Sequence, residues 1–248
     1  MAAETLLHVQ DLGKRFGGLQ ALGGVNCRVE SSMIFSVIGP NGAGKTTFFN
    51  CLTGVEKPSS GTVHFKGKPT TALPPYKLAA LGIARTWQTI RLFEHMTVLE
   101  NVLVGCHPCG KSEMLSSALR LPWQRREEKE LRRRALAQLE RLGIAELANE
   151  TVTRLPFLKQ RRVELARALA SGPSLLLLDE PAAGLNTRET AELGDLIRSI
   201  RADGVTVVLV EHDMSLVMEI SDRVLVLDRG TPIAEGAPRE IQEDPKVI

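Results

Sequence analysis

The stretch of sequence that decides the fold runs Gly39-Pro40-Asn41-Gly42-Ala43-Gly44-Lys45-Thr46-Thr47. It fits the pattern G-x-x-x-x-G-K-[S/T], and it lies between an apolar run at residues 34–38 and a predicted helix at about residues 45–53, as that pattern requires. Glycines allow successive backbone N–H groups to face one anionic centre, and the helix N-terminus adds a partial positive charge. Residues 39–47 therefore predict a phosphate-binding loop for a nucleotide. Lys45 is expected to reach the β- and γ-phosphates, and the Thr46 hydroxyl to ligate Mg²⁺.

Charged residues follow two further apolar runs. Residues 175–178 lead into Asp179-Glu180-Pro181, and residues 205–210 lead into Glu211-His212-Asp213. Because ligands of open α/β sheets bind outside the carboxyl ends of the strands, we expect these groups to meet the phosphate loop. Asp179 is the predicted Mg²⁺ ligand, Glu180 the general base, and His212 a partner of the γ-phosphate or of the attacking water. The alternatives are an acidic helix cap and a structural histidine.

The alternation of short apolar runs with longer amphipathic stretches predicts an α/β fold. We expect a P-loop NTPase core, with a mostly parallel sheet flanked by helices, an N-terminal antiparallel β portion and an inserted helical subdomain. One domain is predicted over residues 1–248. Its nucleotide-binding core, including the β portion, covers residues 1–73 and 172–248, and the helical segment covers residues 74–171.

Composition excludes several classes of protein. The 248 residues include 31 Lys and Arg against 29 Asp and Glu, a net charge of +2 that provides no general attraction to nucleic acid or anionic lipid. No run approaches the roughly 18 apolar residues of a membrane-spanning helix, and the N-terminus does not resemble a signal peptide, so we expect a cytosolic chain. Cys106 and Cys109 have the spacing of half a zinc site, although small, partly buried apolar side chains are the simpler interpretation.

Taken together, these motifs resemble those of ATP-binding-cassette (ABC) ATPases, the motor subunits of ABC transporters, over essentially the whole chain. The resemblance implies a Q-loop glutamine at Gln88, which senses Mg²⁺, takes part in catalysis and contacts a membrane subunit. It also implies that Phe16 stacks on the adenine, although this residue could equally be an apolar anchor. Residues 74–171 would then hold the Q-loop, the helical subdomain and the family's signature region.

Three stretches narrow the resemblance to the ATP-binding subunits of bacterial branched-chain amino acid importers. They are Arg85-Thr86-Trp87-Gln88-Thr89-Ile90-Arg91-Leu92-Phe93, Asp179-Glu180-Pro181-Ala182-Ala183-Gly184-Leu185-Asn186 and Glu211-His212-Asp213-Met214. The resemblance implies ATP and Mg²⁺ as cofactors and the cytoplasmic face of the cell membrane as location. The implied partners are membrane subunits, a second related ATPase or a second copy of the chain, and indirectly a binding protein, without nucleic acid.

The chain departs from the family at the signature motif, usually written LSGGQ, which falls at Leu155-Pro156-Phe157-Leu158-Lys159. In the family, the serine hydroxyl and glycine backbone of this motif touch the γ-phosphate bound to the opposite subunit. Pro156 lacks both a hydroxyl and an N–H, and Leu158 replaces a glycine. We expect the helix to persist because Pro156 suits a first turn, whereas the contact in trans is weakened.

The function expected from the sequence is ATP hydrolysis in the motor subunit of an importer, with branched-chain amino acids as the implied cargo. Two alternatives remain open at this point. One is a nucleotide-gated dimerisation module with little turnover, which the altered signature favours. The other is an ABC ATPase outside transport that acts on DNA or ribosomes, which the near-zero net charge disfavours.

Overall fold

The computed structural model describes residues 4–106 and 122–247. The strands in these ranges are β1 (Thr5–Phe16), β2 (Leu19–Glu30), β3 (Ile34–Ile38), β4 (Ser60–Phe65), β5 (Lys68–Pro69), β6 (Ile83–Arg85), β7 (Leu175–Asp179), β8 (Thr206–Val210), β9 (Arg223–Asp228) and β10 (Thr231–Gly236). The helices are α1 (Lys45–Leu52), α2 (Pro75–Leu81), α3 (Val98–Gly105), α4 (Pro122–Arg141), α5 (Phe157–Ala170), α6 (Thr187–Ala202), α7 (Met214–Ile220) and α8 (Pro238–Glu243). Short 3₁₀ turns lie at Ala145–Leu147 and Val152–Arg154.

The central sheet has the strand order β10-β9-β3-β8-β7-β6. Strands β9, β3, β8, β7 and β6 pair in parallel, and β10 joins the edge in antiparallel orientation. Every residue of β3, β7 and β8 is buried, as continuous apolar runs covered on both faces require. The carboxyl ends of these three strands therefore lie at one edge of the sheet, which is where the predicted site residues follow.

A second, antiparallel sheet has the order β2-β1-β4-β5 and is formed entirely from the N-terminal part of the chain. Its inward side chains belong to the same apolar core as Phe48 and Phe49 of α1 and Leu175 and Leu177 of β7. The predicted fold class is confirmed: a mostly parallel α/β core with an N-terminal antiparallel β portion.

The chain divides into two compact units. The first combines Met1–Gln88 with Ser174–Ile248 and contains both sheets, and the second is Thr89–Pro173. This division differs from the expected boundary at residue 74, because β6 pairs in parallel with β7 and so places residues 83–85 in the central sheet. Within the second unit, as far as it is described, α3, α4 and α5 pack on one another around the buried Ala135 and Leu139.

Four strands and helices of the described structure are absent from the sequence interpretation, namely β5, β6, β10 and α8. Strand β6 has only three residues, which is too short for a period-two pattern to be recognisable. None of the helices within the described ranges combines the length and the apolar character needed to cross a bilayer.

Candidate nucleotide site

The predicted phosphate loop connects β3 to α1, and its glycines are required by the backbone. Gly39 has φ +147°, and a Cβ built there would lie 2.0 Å from the carbonyl oxygen of Leu227. Gly44, the residue before α1, has φ +97°, and its Cβ would lie 2.6 Å from the carbonyl oxygen of Ala21. Side chains at these positions would both strain the backbone and collide with fixed carbonyl groups.

Lys45 opens α1 and folds back over the loop. Its Nζ donates to the carbonyl oxygens of Gly39 at 2.7 Å and Pro40 at 2.9 Å, and the residue is buried. Burial lowers the pKa of the Lys45 ammonium, and the nearby carboxylates of Glu180 and Asp179 oppose that shift. The loop therefore holds the Lys45 ammonium in a position suited to binding an anionic ligand.

A surface pocket adjoins the loop and contains several predicted residues. Phe16 lies at the end of β1 with 42% of its surface exposed, and the Lys14 ammonium lies 4.6 Å from the centre of its ring. Glu180 contributes to the same pocket. The lining residues are Phe16, Leu19, Gln20, Ala21, Asn41, Gly42, Ala43, Gly44, Lys45, Thr46, Thr47, Glu180 and Arg229. The structure thus brings the predicted adenine-stacking residue to the pocket that contains residues 41–47.

Asp179 is the last residue of β7 and is buried in an ion pair with Arg85. The Arg85 Nη2 lies 2.7 Å from the Asp179 Oδ2, and the two side chains are only 6% and 5% exposed. Sequence reasoning missed this partner because it placed residue 85 in the helical segment, residues 74–171. Strand β6, which places Arg85 beside Asp179, is too short to be recognised from the sequence.

Glu180 is the point at which three predicted site residues meet. Its Oε2 accepts a hydrogen bond from the Gln88 Nε2 at 2.6 Å, and its Oε1 lies 2.8 Å from the His212 Nε2. Glu180 also has φ +47°, an uncommon conformation for a non-glycine residue, and its N–H donates to the Val210 carbonyl of β8. Strain of this kind persists only where the surrounding structure enforces it.

Glu211 is a further site residue whose role the sequence did not reveal. It is buried, its Oε1 accepts the Ala182 N–H at 2.7 Å, and its Oε2 accepts the His212 N–H at 2.9 Å. Burial raises the pKa of the Glu211 carboxyl, and the backbone hydrogen bonds oppose the shift. Glu211 therefore ties the turn that carries His212 to the segment that follows Glu180.

Oxygen donors suited to Mg²⁺ are present at this sheet edge. Asp179 provides a carboxylate whose Oδ2 is held by Arg85, and Thr46 provides a hydroxyl in the first turn of α1. Carboxylate and hydroxyl oxygens match the preference of this hard cation, so the residues present fit the metal. Within the described residues, no cluster of three or more His, Cys, Asp and Glu side chains forms a metal site. Cys106 is buried, and Cys109 of the zinc alternative lies outside the described residues.

The predicted signature residues lie in the second unit. Pro156 is the N-cap of α5, one position before the expected first turn, and it provides no side-chain hydrogen bond to the helix. Leu158 is buried, Phe157 is 44% exposed, and the Lys159 Nζ lies 3.4 Å from the Gly143 carbonyl. Leu155, which precedes the cap, is buried. The helix persists, as expected, without a capping hydroxyl.

Comparison with known proteins identifies the family. The sequence profile of the ABC transporter family matches residues 22–183 of this chain. The chain belongs to the ABC transporter family. Among ABC proteins it is 47% identical, over 99% of its length and 97% of the relative's, to the high-affinity branched-chain amino acid transport ATP-binding protein LivG of Escherichia coli strain K12.

Two solved ABC structures support the architecture. One is an ATP-binding cassette of an ABC transporter in its ADP conformation, with 34% identity, a TM-score of 0.86, and coverage of 98% of this chain and 96% of that one. The other is a dimeric bacterial ABC transporter cassette, with 27% identity, a TM-score of 0.78, and coverage of 94% and 99%. The fold is therefore that of an ABC ATPase cassette.

Proposed function

We propose that this chain is the ATP-hydrolysing motor subunit of an ABC importer for branched-chain amino acids. The observation that carries the proposal is the carboxylate of Glu180, which Gln88 and His212 hold at the sheet edge that also bears the phosphate loop. The cargo assignment is supported by the full-length similarity to LivG, whose name specifies branched-chain amino acid transport.

The residues of the site divide the chemistry among them. The backbone of residues 39–44 and the Lys45 ammonium bind the phosphates, and Phe16 stacks on the base. Glu180 accepts a proton from the attacking water as the water oxygen bonds to the γ-phosphorus and the bond to the leaving phosphate breaks. His212 orients Glu180: because an ionised carboxylate can only accept, the His212 Nε2 donates to it.

Mg²⁺ would be held by Thr46 and Asp179, with Gln88 beside them, and when bound it supplies charge neutralisation between the phosphates. The chain itself fixes the Asp179 carboxylate through Arg85 and the Glu180 carboxylate through Gln88 and His212. These contacts hold the two acidic groups in separate environments at adjacent positions. One is thus arranged for a metal and the other for proton transfer.

We further propose that the chain works on the cytoplasmic face of the membrane with membrane subunits and a second ATPase. Dimerisation is supported by the dimeric cassette among its structural neighbours. In the head-to-tail dimer that the family implies, each nucleotide lies between one phosphate loop and the other subunit's signature. Pro156 and Leu158 weaken this chain's signature, so a heterodimer with one dominant site results: the site built on Lys45 and Glu180.

A second candidate function is a nucleotide-gated dimerisation module with little turnover. The observation that favours it is the N-cap of α5, where Pro156 provides no hydrogen bond and Lys159 is engaged with the Gly143 carbonyl. ATP-dependent dimerisation without phosphate release would identify this function.

The deciding experiment is phosphate release with Mg-ATP by the purified chain over a range of protein concentrations. Lys45→Ala controls for contaminating ATPase. Activity that rises with concentration would mean that the chain forms its own working dimer and would contradict the weak-signature proposal. ATP binding without activity, followed by turnover once a second, related ATPase subunit with an intact signature is added, would support the asymmetric heterodimer. Unequal losses on replacing each subunit's general base are also expected, and equal losses would contradict it.

The cargo is tested by uptake of radiolabelled leucine in Escherichia coli cells lacking LivG, complemented with this chain. Restored uptake that Glu180→Gln abolishes would support the importer assignment. Stable expression without uptake of leucine, isoleucine or valine, together with intact ATPase activity, would refute the cargo and leave the ATPase proposal standing.

A further inference from the structure

The Arg85 side chain does more than neutralise the charge of Asp179, because other contacts hold it in one position. Arg85 is fixed from sides other than that of Asp179. Its Nη1 donates to the Asn50 Oδ1 at 2.7 Å and to the Thr53 Oγ1 at 3.1 Å, both at the end of the helix that starts at Lys45. Its guanidinium carbon lies 4.2 Å from the centre of the Trp87 ring. The planar guanidinium of Arg85 is held by these hydrogen bonds and by the face of the Trp87 ring. It therefore cannot move to follow a displacement of the Asp179 carboxylate.

Asp179, by contrast, depends on Arg85. Its side chain is 5% exposed, and its Oδ2 lies 2.7 Å from the Arg85 Nη2. A buried carboxylate is costly without a charged partner, so the partner determines its orientation. The ion pair uses Oδ2 and leaves Oδ1 as the other oxygen of the carboxylate. The direction in which Asp179 presents that oxygen is therefore set by Arg85.

The same short segment contacts both acidic residues of the site. Arg85 contacts Asp179, and three positions later Gln88 contacts Glu180 at 2.6 Å. The intervening Thr86 N–H donates to the Leu177 carbonyl of β7 at 2.9 Å, which holds the segment against the strand that ends in Asp179. Residues 85–88 are thus aligned with the end of β7 by backbone and side-chain bonds together.

We propose that Arg85 is a positioning residue that orients the Asp179 carboxylate for a divalent cation. The proposal rests on the proposed function, because it assumes that Asp179 faces a nucleotide-bound metal. Two effects of Arg85 oppose each other. Its positive charge disfavours a nearby cation, and its fixed geometry favours the cation by preorganising the ligand. Orienting contacts behind metal ligands typically change metal affinity or activity by ~10–100-fold. The positive charge of Arg85 is already paired with the Asp179 carboxylate at 2.7 Å, so its repulsion of a nearby cation is largely offset. The orienting effect therefore dominates.

The test measures metal binding rather than turnover. The affinity for a fluorescent ATP analogue is determined in EDTA and in Mg²⁺, and the ratio of the two gives the contribution of the metal. Binding of Mn²⁺ to the protein–ADP complex is measured by electron paramagnetic resonance as a second readout. Arg85→Lys is expected to lower the metal contribution by roughly tenfold or more, while the metal-free nucleotide affinity changes by less than about threefold.

Three further variants, one of them a double variant, separate positioning from charge and from loss of stability. Asn50→Ala keeps the charge and removes one anchor, so a smaller loss in the same direction is expected. Arg85→Gln in the Asp179→Asn background is expected to cause no additional loss, since residues that act through one another are not additive. Arg161→Lys is the matched control, because it disrupts an equally buried ion pair with Glu164 in the other unit. It should lower thermal stability without changing the metal contribution.

Three results would overturn the proposal. They are an unchanged metal contribution in Arg85→Lys, an increased contribution in Arg85→Gln, or an effect of Arg85 that persists when Asp179 is replaced. If Arg85→Gln does not fold, the metal contributions measured for Arg85→Lys and Asn50→Ala still test the proposal. A wild-type chain that binds no nucleotide under either condition would refute the proposed function itself, which distinguishes the two failures.

Discussion

Replacing Glu180 by glutamine tests the central assignment, because the change removes basicity while keeping the shape of the side chain. The carboxylate accepts two contacts, at 2.6 Å from Gln88 and 2.8 Å from His212. A glutamine keeps one acceptor oxygen for Gln88, and its amide group can donate to the other tautomer of His212. A neutral hydrogen bond contributes about 0.5–1.5 kcal/mol net, so imperfect re-pairing of one of the two contacts accounts for at most about a tenfold loss of rate.

Loss of a general base has a larger effect, typically ~10²–10⁴ in rate. At about 1.36 kcal/mol for each factor of ten, this corresponds to about 3–5 kcal/mol of transition-state stabilisation. We therefore expect Glu180→Gln to lower single-turnover phosphate release by at least about a hundredfold while ATP affinity stays within about threefold of the wild type. The closed, ATP-bound state should accumulate.

The assay combines rapid-quench phosphate release with equilibrium binding of a fluorescent ATP analogue, in the assembly that shows turnover. Glu192→Gln is a matched control, since Glu192 is a more exposed helix residue of α6 paired with Arg188. A rate loss of tenfold or less in Glu180→Gln would mean that hydrogen bonding alone explains the effect, and would refute the role of Glu180 as base.

Three further predictions follow from the geometry. Lys45→Ala should weaken ATP binding by roughly 10–100-fold in an equilibrium titration, because each charged hydrogen bond contributes about 1.5–3 kcal/mol. An affinity within twofold of the wild type would contradict the phosphate-loop assignment. Asn186→Ala should lower the free energy of unfolding by about 1 kcal/mol, because Asn186 caps α6 in a reciprocal pair with Glu189. Asn186→Asp should restore the cap, and equal denaturation midpoints for all three proteins would contradict this reasoning. Burial raises the pKa of Cys51 to about 11, so at pH 8 only about one Cys51 thiol in a thousand is ionised. Cys51→Ser should therefore leave the rate of thiol labelling of the native protein unchanged. A slower rate in that variant would show that Cys51 is exposed.

The phosphate loop and the charged strand ends could be predicted because each depends on a short local pattern. The glycines at 39 and 44 are required by local backbone geometry, and the apolar runs before Asp179 and Glu211 indicate buried parallel strands. Because the carboxyl ends of parallel strands lie at a common edge of the sheet, the phosphate loop and the charged residues could also be predicted to lie close together.

The contacts of Arg85 and Glu211 could not be predicted, because they join residues far apart in sequence. Arg85 and Asp179 are 94 positions apart, and Ala182 and Glu211 are 29 apart. Strands β1 and β2 extend well beyond the apolar runs at residues 6–9 and 25–29, from which the sequence predicts them, for a different reason. Register shifts between Val9 and Leu12 and between Leu12 and Lys14 interrupt the alternation from which strands are recognised.

The pairing of β3 has a consequence for how the chain is made. β3 leads directly into the phosphate loop, yet its neighbours in the sheet are β8 and β9, and the Ile34 N–H donates to Asp222 across 188 positions. At a synthesis rate of about 5–20 residues per second, β3 waits roughly 10–40 s on the ribosome before its partners emerge. During that interval an apolar strand has open edges on both sides, and a chain truncated before β8 keeps them open permanently. We therefore expect the nascent polypeptide to be prone to aggregation until its last quarter is translated, and a fragment that ends before β8 to aggregate rather than to act as a weakened enzyme.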